Sequence, residues 1–157
     1  MKKKLLLALT VIFAINSYSQ ISFESGYFIN NSNQKTECFI KNIDWANNPT
    51  EFEYKLTEKS EKKKATIKTV KEFSIYDTSK YVRATINIDI SRNSNDELST
   101  TKKAIFKEEE LFLKVLIEGK ASLYLYKYSN LTKFFFSKDG SKTEQLIFKK
   151  YLKFIIP

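Results

Sequence analysis

The stretch YVRATINIDIS (residues 81–91) decides the fold class, because apolar and polar side chains alternate along its whole length. One set is Val82, Ala84, Ile86, Ile88 and Ile90, and the other is Tyr81, Arg83, Thr85, Asn87 and Asp89. A period of two places the two sets on opposite faces of a β-strand. We therefore predict a strand with one dry face and one wet face.

Strand-like segments lie on both sides of this stretch. The N-terminal ones are 22–29, 35–43, 51–57 and 67–77, and the C-terminal ones are 111–118, 121–128, 131–137 and 143–156. Segment 67–77 fits either a strand or a short helical turn before one, and the last segment fits either a long strand or a strand that enters a short helix. Segment 58–64 is predicted to be a charged hairpin tip or loop, and 91–110 a surface loop. We predict an all-β fold, an antiparallel meander that forms a sandwich or a small, partly open barrel.

Turn-forming residues separate the C-terminal strands. Gly119 and Lys120 have the form of a two-residue hairpin loop, in which we expect Gly119 to supply a positive φ. Asp139 and Gly140 mark a second tight turn. These turns predict that consecutive strands pair with one another.

Residues 1–19 have the layout of a secretory signal peptide. Three lysines at positions 2–4 precede an apolar run over residues 5–15, and Ser17 and Ser19 supply small residues for cleavage before Gln20. The run is shorter than the roughly twenty residues that a membrane-spanning helix needs. We predict cleavage after Ser19 and a single β-rich domain at 20–157, with a retained N-terminal anchor as the alternative.

The net charge limits the classes of partner that the protein is suited to bind. The formal net charge is +9, and removal of the three N-terminal lysines lowers it to +6. A basic exported protein is suited to anionic envelope components such as lipid headgroups or acidic polymers, or to another envelope protein. Peripheral membrane contact is compatible with this charge, whereas nucleic acid is a poor partner outside the cytoplasm. The alternative is that the lysines keep the protein soluble and protect sheet edges.

The residue types needed for most catalytic and metal sites are missing. The chain contains no histidine and one cysteine, Cys38, so it cannot build a Ser-His triad or a zinc site, and we predict no catalytic, cofactor-binding or metal-binding residues. Cys38 is expected to be a buried, inert thiol. Carboxylate pairs are the remaining enzymatic option, but Glu51 and Glu53 are interpreted as a wet sheet face and residues 108–110 as a solvated charge run.

Aromatic residues are concentrated in the C-terminal strands. Tyr124, Tyr126 and Tyr128 fall on one face of a predicted strand, and residues 134–136 are three consecutive phenylalanines. If these rings were exposed, they could stack on sugars or bases. We expect them to form part of the core instead.

The segment DWANNPTEFEY (44–54) contains the only tryptophan of the chain. Pro49 fixes its own φ and biases Asn48 toward an extended conformation, so the two residues are expected to direct the chain into the next strand. Trp45 is interpreted as an amphipathic ring that covers one end of the core. The alternative is a tryptophan that stacks on a ligand.

Three segments, 26–55, 72–90 and 111–128, together resemble a family of exported, uncharacterised β-rich proteins of Bacteroidetes-type bacteria. In that family the domain often precedes an outer-membrane β-barrel. The resemblance implies a β-rich domain and carries no enzymatic activity or binding residues. Since the sequence stops at Pro157 without such a barrel, we expect either a short stand-alone form or a truncated one.

These observations predict an exported, non-enzymatic envelope protein that acts as a structural or binding module. The expected location is the periplasm, the periphery of the outer membrane or the extracellular space. One alternative is a carboxylate-based enzyme that acts on envelope carbohydrate or lipid. The other is a short outer-membrane β-barrel. We expect no cofactor.

Overall fold

The computed structural model describes residues 22–91, 98 and 100–153, and the predicted signal peptide at 1–19 lies outside them. The described part is all-β, without helix, which confirms the predicted fold class. Its ten strands are β1 (Phe23–Asn30), β2 (Lys35–Lys41), β3 (Glu51–Lys55), β4 (Lys63–Thr66), β5 (Val70–Ile75), β6 (Ser79–Asp89), β7 (Phe106–Ile117), β8 (Ala121–Tyr128), β9 (Leu131–Lys138) and β10 (Glu144–Leu146).

All ten strands form one antiparallel sheet in the order β10-β9-β8-β7-β6-β5-β1-β2-β3-β4. Strand β4 lies at one edge, four positions from β5, or about 19 Å away in a flat sheet. Yet only three residues separate the two strands, and the Thr69 amide donates to the Thr66 carbonyl 3.0 Å away. Such a tight turn is possible only because the sheet curls, which makes it a half-barrel rather than a sandwich.

The C-terminal half of the sheet curls as well. Strand β10 is four positions from β6 in the sheet order, but the Gln145 side-chain Oε1 accepts a hydrogen bond from the Asp89 amide at 2.7 Å. The concave sides of the two halves hold separate hydrophobic clusters, and these lie on opposite faces of the sheet. Tyr81 of β6 belongs to the first cluster and its neighbour Val82 packs against the second. The sheet therefore curls in opposite senses in its two halves.

The first cluster fills the N-terminal half and the second fills the C-terminal half. The buried members of the first are Phe28, Cys38, Ile40, Phe52, Ala65, Val70, Phe73, Ile75, Tyr81 and Phe112. The buried members of the second are Ile86, Ile88, Leu113 and Phe135. Cys38 is buried, as predicted. Each half of the sheet curls around its own cluster, so the fold has two separate cores.

This change of concave face corrects the prediction of one dry and one wet face on 81–91. The strand is present, and Ile86 and Ile88 are buried as expected. Tyr81 and Asp89, predicted to be wet, are buried, whereas Ile90 is half exposed. For Tyr81 the physical reason is that β6 is shared by both halves, so its two faces are buried at different points along its length. For Asp89 and Ile90 the reason is a break in the alternation after Ile88, since Ile88 and Asp89 are both buried and Asp89 pairs with Lys133 of the C-terminal half.

Several element boundaries also differ from the sequence prediction. Segment 58–64 lies in the hairpin between β3 and β4 and includes the start of β4, and segment 67–77 is a turn at 67–69 followed by β5, as its second alternative predicted. Strand β7 begins at Phe106, within the predicted loop 91–110. Within the described part of segment 143–156, the strand covers only Glu144–Leu146, where β10 pairs with β9, and residues 147–153 form neither strand nor helix.

The predicted turns are present with one difference in backbone geometry. Asp139 and Gly140 both have positive φ, 51° and 72°, as a type I′ hairpin turn requires. Gly119 does not have a left-handed φ, so that expectation is wrong. The β7–β8 loop spans three residues, 118–120, and the Ser122 hydroxyl bonds both the amide and the carbonyl of Gly119. This side-chain bridge closes the loop without a left-handed glycine.

Candidate binding face on the C-terminal strands

The convex side of the C-terminal half carries a set of apolar side chains that, within the part of the chain that the structure describes, no other strand covers. Cross-strand pairing places them on one face: Ile117 of β7, Leu123 and Leu125 of β8, Phe134 and Phe136 of β9, and Leu146 of β10. We call these six residues the docking face. Ile117, Phe134, Phe136 and Leu146 are between 37% and 58% exposed. A row of large apolar groups at this exposure is typical of an interaction surface.

The run of three phenylalanines creates this face. Phe135 points into the second core cluster and is fully buried, so strand alternation directs Phe134 and Phe136 to the opposite side. The expectation that the aromatic residues form core is therefore correct for Phe135 and wrong for the other two phenylalanines. Tyr124 packs partly against the second cluster, while Tyr128 is exposed.

The net positive charge of the chain comes from its C-terminal segment, on these strands and in the loops and tail that adjoin them. Residues 20–110 contain fifteen cationic and fifteen acidic side chains, whereas residues 111–157 contain nine lysines and three acids. The whole +6 charge of the predicted mature chain therefore comes from the segment that builds the docking face. An apolar surface with a cationic surround is complementary to an anionic amphiphilic surface.

The two halves also differ in how their cations are paired. In the N-terminal half, Lys41 and Lys62 both pair with Glu53, and Lys64 pairs with Glu51. Among the described residues, Lys133 is the only lysine of 111–153 with an ion pair to a carboxylate. The other C-terminal lysines leave their charge available to a partner.

The Lys133–Asp89 pair is an internal structure and does not belong to the docking face. Lys133 is 5% exposed and Asp89 is 0% exposed, with 3.3 Å between Nζ and Oδ2. Asp89 Oδ1 accepts hydrogen bonds from the amides of Ser91 and Ile105. Burial raises the pKa of Asp89, but the hydrogen bonds from Ser91 and the Lys133 ammonium outweigh it, so the pKa lies below its usual range. The pair joins β6 to β9 across the second core.

The loop that contains Trp45 closes over the first core and reaches the docking half. The Trp45 ring meets the rings of Phe73 and Tyr81 edge-on, at centroid distances of 5.8 and 5.7 Å. The Asn48 side chain donates to the carbonyls of Phe112 and Leu125 at 2.8 Å each, and it accepts from a β8 amide. Next to it, Pro49 is buried. This loop ties the two halves of the sheet together.

The predicted structural residues form two groups at opposite ends of β8. Trp45, Asn48 and Pro49 lie near residue 127, where the Asn48 amide donates to the Lys127 carbonyl at 2.8 Å. Gly119, Asp139 and Gly140 lie near residue 121, where the Asp139 amide donates to the Lys120 carbonyl. The two groups are separated by roughly 20 Å of strand. The two groups lie at opposite ends of the docking face and do not form one site.

A cavity of about 330 Å³ opens between the Trp45 loop and strands β6–β8. The residues that line it are Asp44, Trp45, Ala46, Asn48, Tyr81, Lys114, Leu125 and Lys127. Burial raises the pKa of Tyr81 to about 12, with a smaller contribution from Asp44, so its hydroxyl is neutral at pH 7. Because Leu125 lines this cavity and also belongs to the docking face, the two are continuous.

A second cavity, of about 200 Å³, lies on the other side of Trp45 and is lined by both Glu51 and Glu53. Hydrogen bonds from Lys41 and Lys62 lower the pKa of Glu53 to about 2, so it is ionised at neutral pH. The Cys38 thiol is buried, and burial raises its pKa to about 12. Within the described residues, no three side chains among Asp, Glu, Cys and His are grouped closely enough to hold a metal ion.

The sequence reasoning did not identify the docking face or the Asp89–Lys133 pair. A usable signal for the face was present, since the unequal division of charge between residues 20–110 and 111–157 can be read directly from the sequence. In the described part of the chain, no helix has the length and apolar character needed to span a membrane. Comparison with protein-family models, curated proteins and solved structures gave no match.

Proposed function

We propose that the chain is an exported, non-enzymatic envelope protein that binds peripherally to an anionic lipid surface through its docking face. The observation that carries this proposal is the coincidence of unpaired lysines and exposed apolar side chains on the same strands. The signal-peptide layout of residues 1–19 supports the export that this proposal requires.

The expected strength of binding follows from two contributions. Four half-exposed apolar side chains contribute roughly 1 kcal/mol each on leaving water. Lysines close to an anionic surface contribute about 1 kcal/mol each, so six of them add about 6 kcal/mol. The sum, about 10 kcal/mol, is a gross gain, and the loss of translational and rotational freedom on association, about 4–15 kcal/mol, offsets much of it. Binding is therefore expected to be weak, reversible and sensitive to salt.

The test is co-sedimentation of residues 20–157 with vesicles of phosphatidylcholine, with and without 30% phosphatidylglycerol. We expect binding to the anionic vesicles alone, and release at 0.5 M salt. The triple variant K138Q/K142Q/K150Q removes three exposed lysines near the docking face, and it should bind about 100-fold more weakly at low salt. The matched control K59Q/K63Q/K68Q loses the same charge from the N-terminal half and should bind nearly as well as the unmodified chain.

Equal losses in the two triple variants would show that net charge alone, and not the docking face, is responsible. Fractionation of native envelopes supplies a second check on location. The mature chain should be released from the membrane fraction by high salt. Retention through salt and alkaline extraction would contradict peripheral binding.

A carboxylate-based enzyme is the second candidate, favoured by the cavity that contains Glu51 and Glu53. On one strand two positions apart, their α-carbons are about 7 Å from each other. A glycosidase also needs a protonated carboxyl as its acid, and Glu53 is held ionised by two lysines. Hydrolysis of envelope polysaccharide that disappears in E53Q would favour this candidate and overturn the non-enzymatic proposal.

A further inference from the structure

We propose that the cavity beside Trp45 binds the anionic headgroup of a lipid from the membrane surface, with its acyl chain along the docking face. This inference rests on the proposed function and names the ligand that the same surface selects. The cavity volume of about 330 Å³ is at the lower end of the range for small-ligand sites. It fits a headgroup but not a whole lipid.

Two lysines supply the charge for an anion. Lys114 of β7 pairs with Leu125 of β8, and Lys127 follows two residues along the same face. The two ammonium groups therefore come from neighbouring strands and line one cavity. Lys114 is partly buried, and among the described residues it has no ion pair. An anionic ligand in the cavity would accept charge-assisted hydrogen bonds from both ammonium groups.

The acyl chain has a continuous apolar path that starts at the cavity. Direct cross-strand pairing forms a row from Lys114 through Leu125 and Phe134 to Leu146. At the spacing of paired strands, this row is about 14 Å long. Phe134 and Leu146 are each nearly half exposed, so a chain along the row would cover apolar surface that now faces water.

Asp44 sets the selectivity of the cavity. Its carboxylate lines the same space as the two lysines, so the charged lining has a net charge of +1. This balance favours a monoanionic headgroup over a more highly charged one. Asp44 has a φ of 45°, a left-handed conformation that asparagine also tolerates, so D44N removes the negative charge without straining the loop.

Trp45 is the only tryptophan of the chain, so its fluorescence reports on this cavity without added labels. The probe is dodecyl phosphate below its micelle concentration, compared with inorganic phosphate, with dodecyl maltoside, and with the phosphatidylglycerol vesicles. We expect a saturable change in Trp45 emission with dodecyl phosphate and with the anionic vesicles. Inorganic phosphate should bind at least tenfold more weakly, and dodecyl maltoside should give no saturable change at the same concentrations.

The variants change the affinity in opposite directions. K114Q/K127Q should weaken dodecyl phosphate binding by ten- to a hundredfold, because two charge-assisted hydrogen bonds are lost. D44N should tighten it a few-fold. K138Q/K142Q changes two lysines outside the cavity. This variant should bind dodecyl phosphate with unchanged affinity and should bind vesicles more weakly. D44N is predicted to bind dodecyl phosphate more tightly, so this variant still tests the proposal if K114Q/K127Q fails to fold.

Four results would overturn the inference, and a fifth would overturn the proposed function on which it rests. Unchanged affinity for dodecyl phosphate in both K114Q/K127Q and D44N would show that the cavity is not the site. Equal affinity of the unmodified chain for inorganic phosphate and for dodecyl phosphate would show that the acyl chain does not contribute to binding. A response to monomeric dodecyl phosphate without a response to vesicles would exclude a bilayer lipid as the ligand. Co-sedimentation with vesicles without a change in Trp45 emission would refute the cavity as the headgroup site and leave the proposed function in place. Absence of co-sedimentation would refute the proposed function itself.

Discussion

Substitution of Lys133 by methionine tests whether the buried ion pair holds the C-terminal core together. Breaking a buried pair by removing one partner costs about 3–5 kcal/mol, because the other charge is left uncompensated. Asp89 keeps two backbone amide donors after this change, so K133M is expected at the lower end, about 3 kcal/mol. D89N leaves the Lys133 ammonium without a counterion and should cost more, about 4–5 kcal/mol.

The assay is urea unfolding followed by Trp45 fluorescence. With m-values of about 1–3 kcal/mol/M, a loss of 3 kcal/mol lowers the midpoint by roughly 1–3 M. The double variant D89N/K133M should be less destabilised than the sum of the single changes, since neither charge then remains buried alone. A cost below about 1 kcal/mol for K133M, or a milder effect for D89N, would refute the argument from uncompensated charge.

The same pair predicts a dependence on pH with a definite sign. The pKa of Asp89 is lower in the folded protein than its usual value, so the ionised form stabilises the fold above the unfolded pKa of about 3.9. That stabilisation is lost as the pH falls through the folded pKa. Removal of Lys133 takes away part of the cause, so the stability difference between the unmodified chain and K133M should shrink below about pH 4. A difference that grows on acidification would contradict this reasoning.

Four further predictions concern the packing of the first core and the turns. G26A should cost more than about 2 kcal/mol, since an added Cβ would lie 2.1 Å from a backbone oxygen of β5. The control G119A, where the nearest atom is 3.7 Å away, should change the unfolding free energy by less than about 0.5 kcal/mol. N48A, which removes three hydrogen bonds, should cost about 2–3 kcal/mol in the same urea assay. The Cys38 thiol, with a pKa of about 12, should react with an aromatic disulfide reagent only as fast as the protein opens. Because burial raises the pKa of Tyr81 to about 12, stability should fall as the pH rises from 10 to 12, and Y81F should flatten this fall by up to about 1.4 kcal/mol per pH unit.

Local alternation was enough to predict the fold class, but it could not assign the faces. The period-two pattern of 81–91 correctly predicted a strand, since side-chain direction alternates whatever the strand packs against. Which face is buried depends on the curl of the whole sheet, which reverses at β6. Tyr81 is therefore buried although its neighbours in sequence suggested a wet face, and Asp89 is buried because the alternation breaks after Ile88. Long-range register of this kind leaves no signal in an eleven-residue window.

The remaining errors have similar causes. Strand β4 consists of Lys63, Lys64, Ala65 and Thr66, and its charged edge looks like a loop until β3 is placed beside it. Gly26 begins the segment 26–55, and an isolated glycine in a strand already indicates a close approach of another backbone. The docking face required knowledge of which phenylalanines face outward, whereas the charge that surrounds it was visible in the composition of residues 111–157.

The most direct test of the central claim is to ask which surface touches the membrane. In a W45F background, a tryptophan is placed either on the docking face, as F134W, or on an exposed aromatic position of the N-terminal half, as Y76W. Each variant is mixed with phosphatidylglycerol vesicles whose acyl chains carry bromine, which quenches tryptophan on contact. Peripheral binding through the docking face predicts strong quenching of F134W and little quenching of Y76W. Equal quenching of the two, or stronger quenching of Y76W, would contradict the proposed orientation and with it the assignment of the docking face.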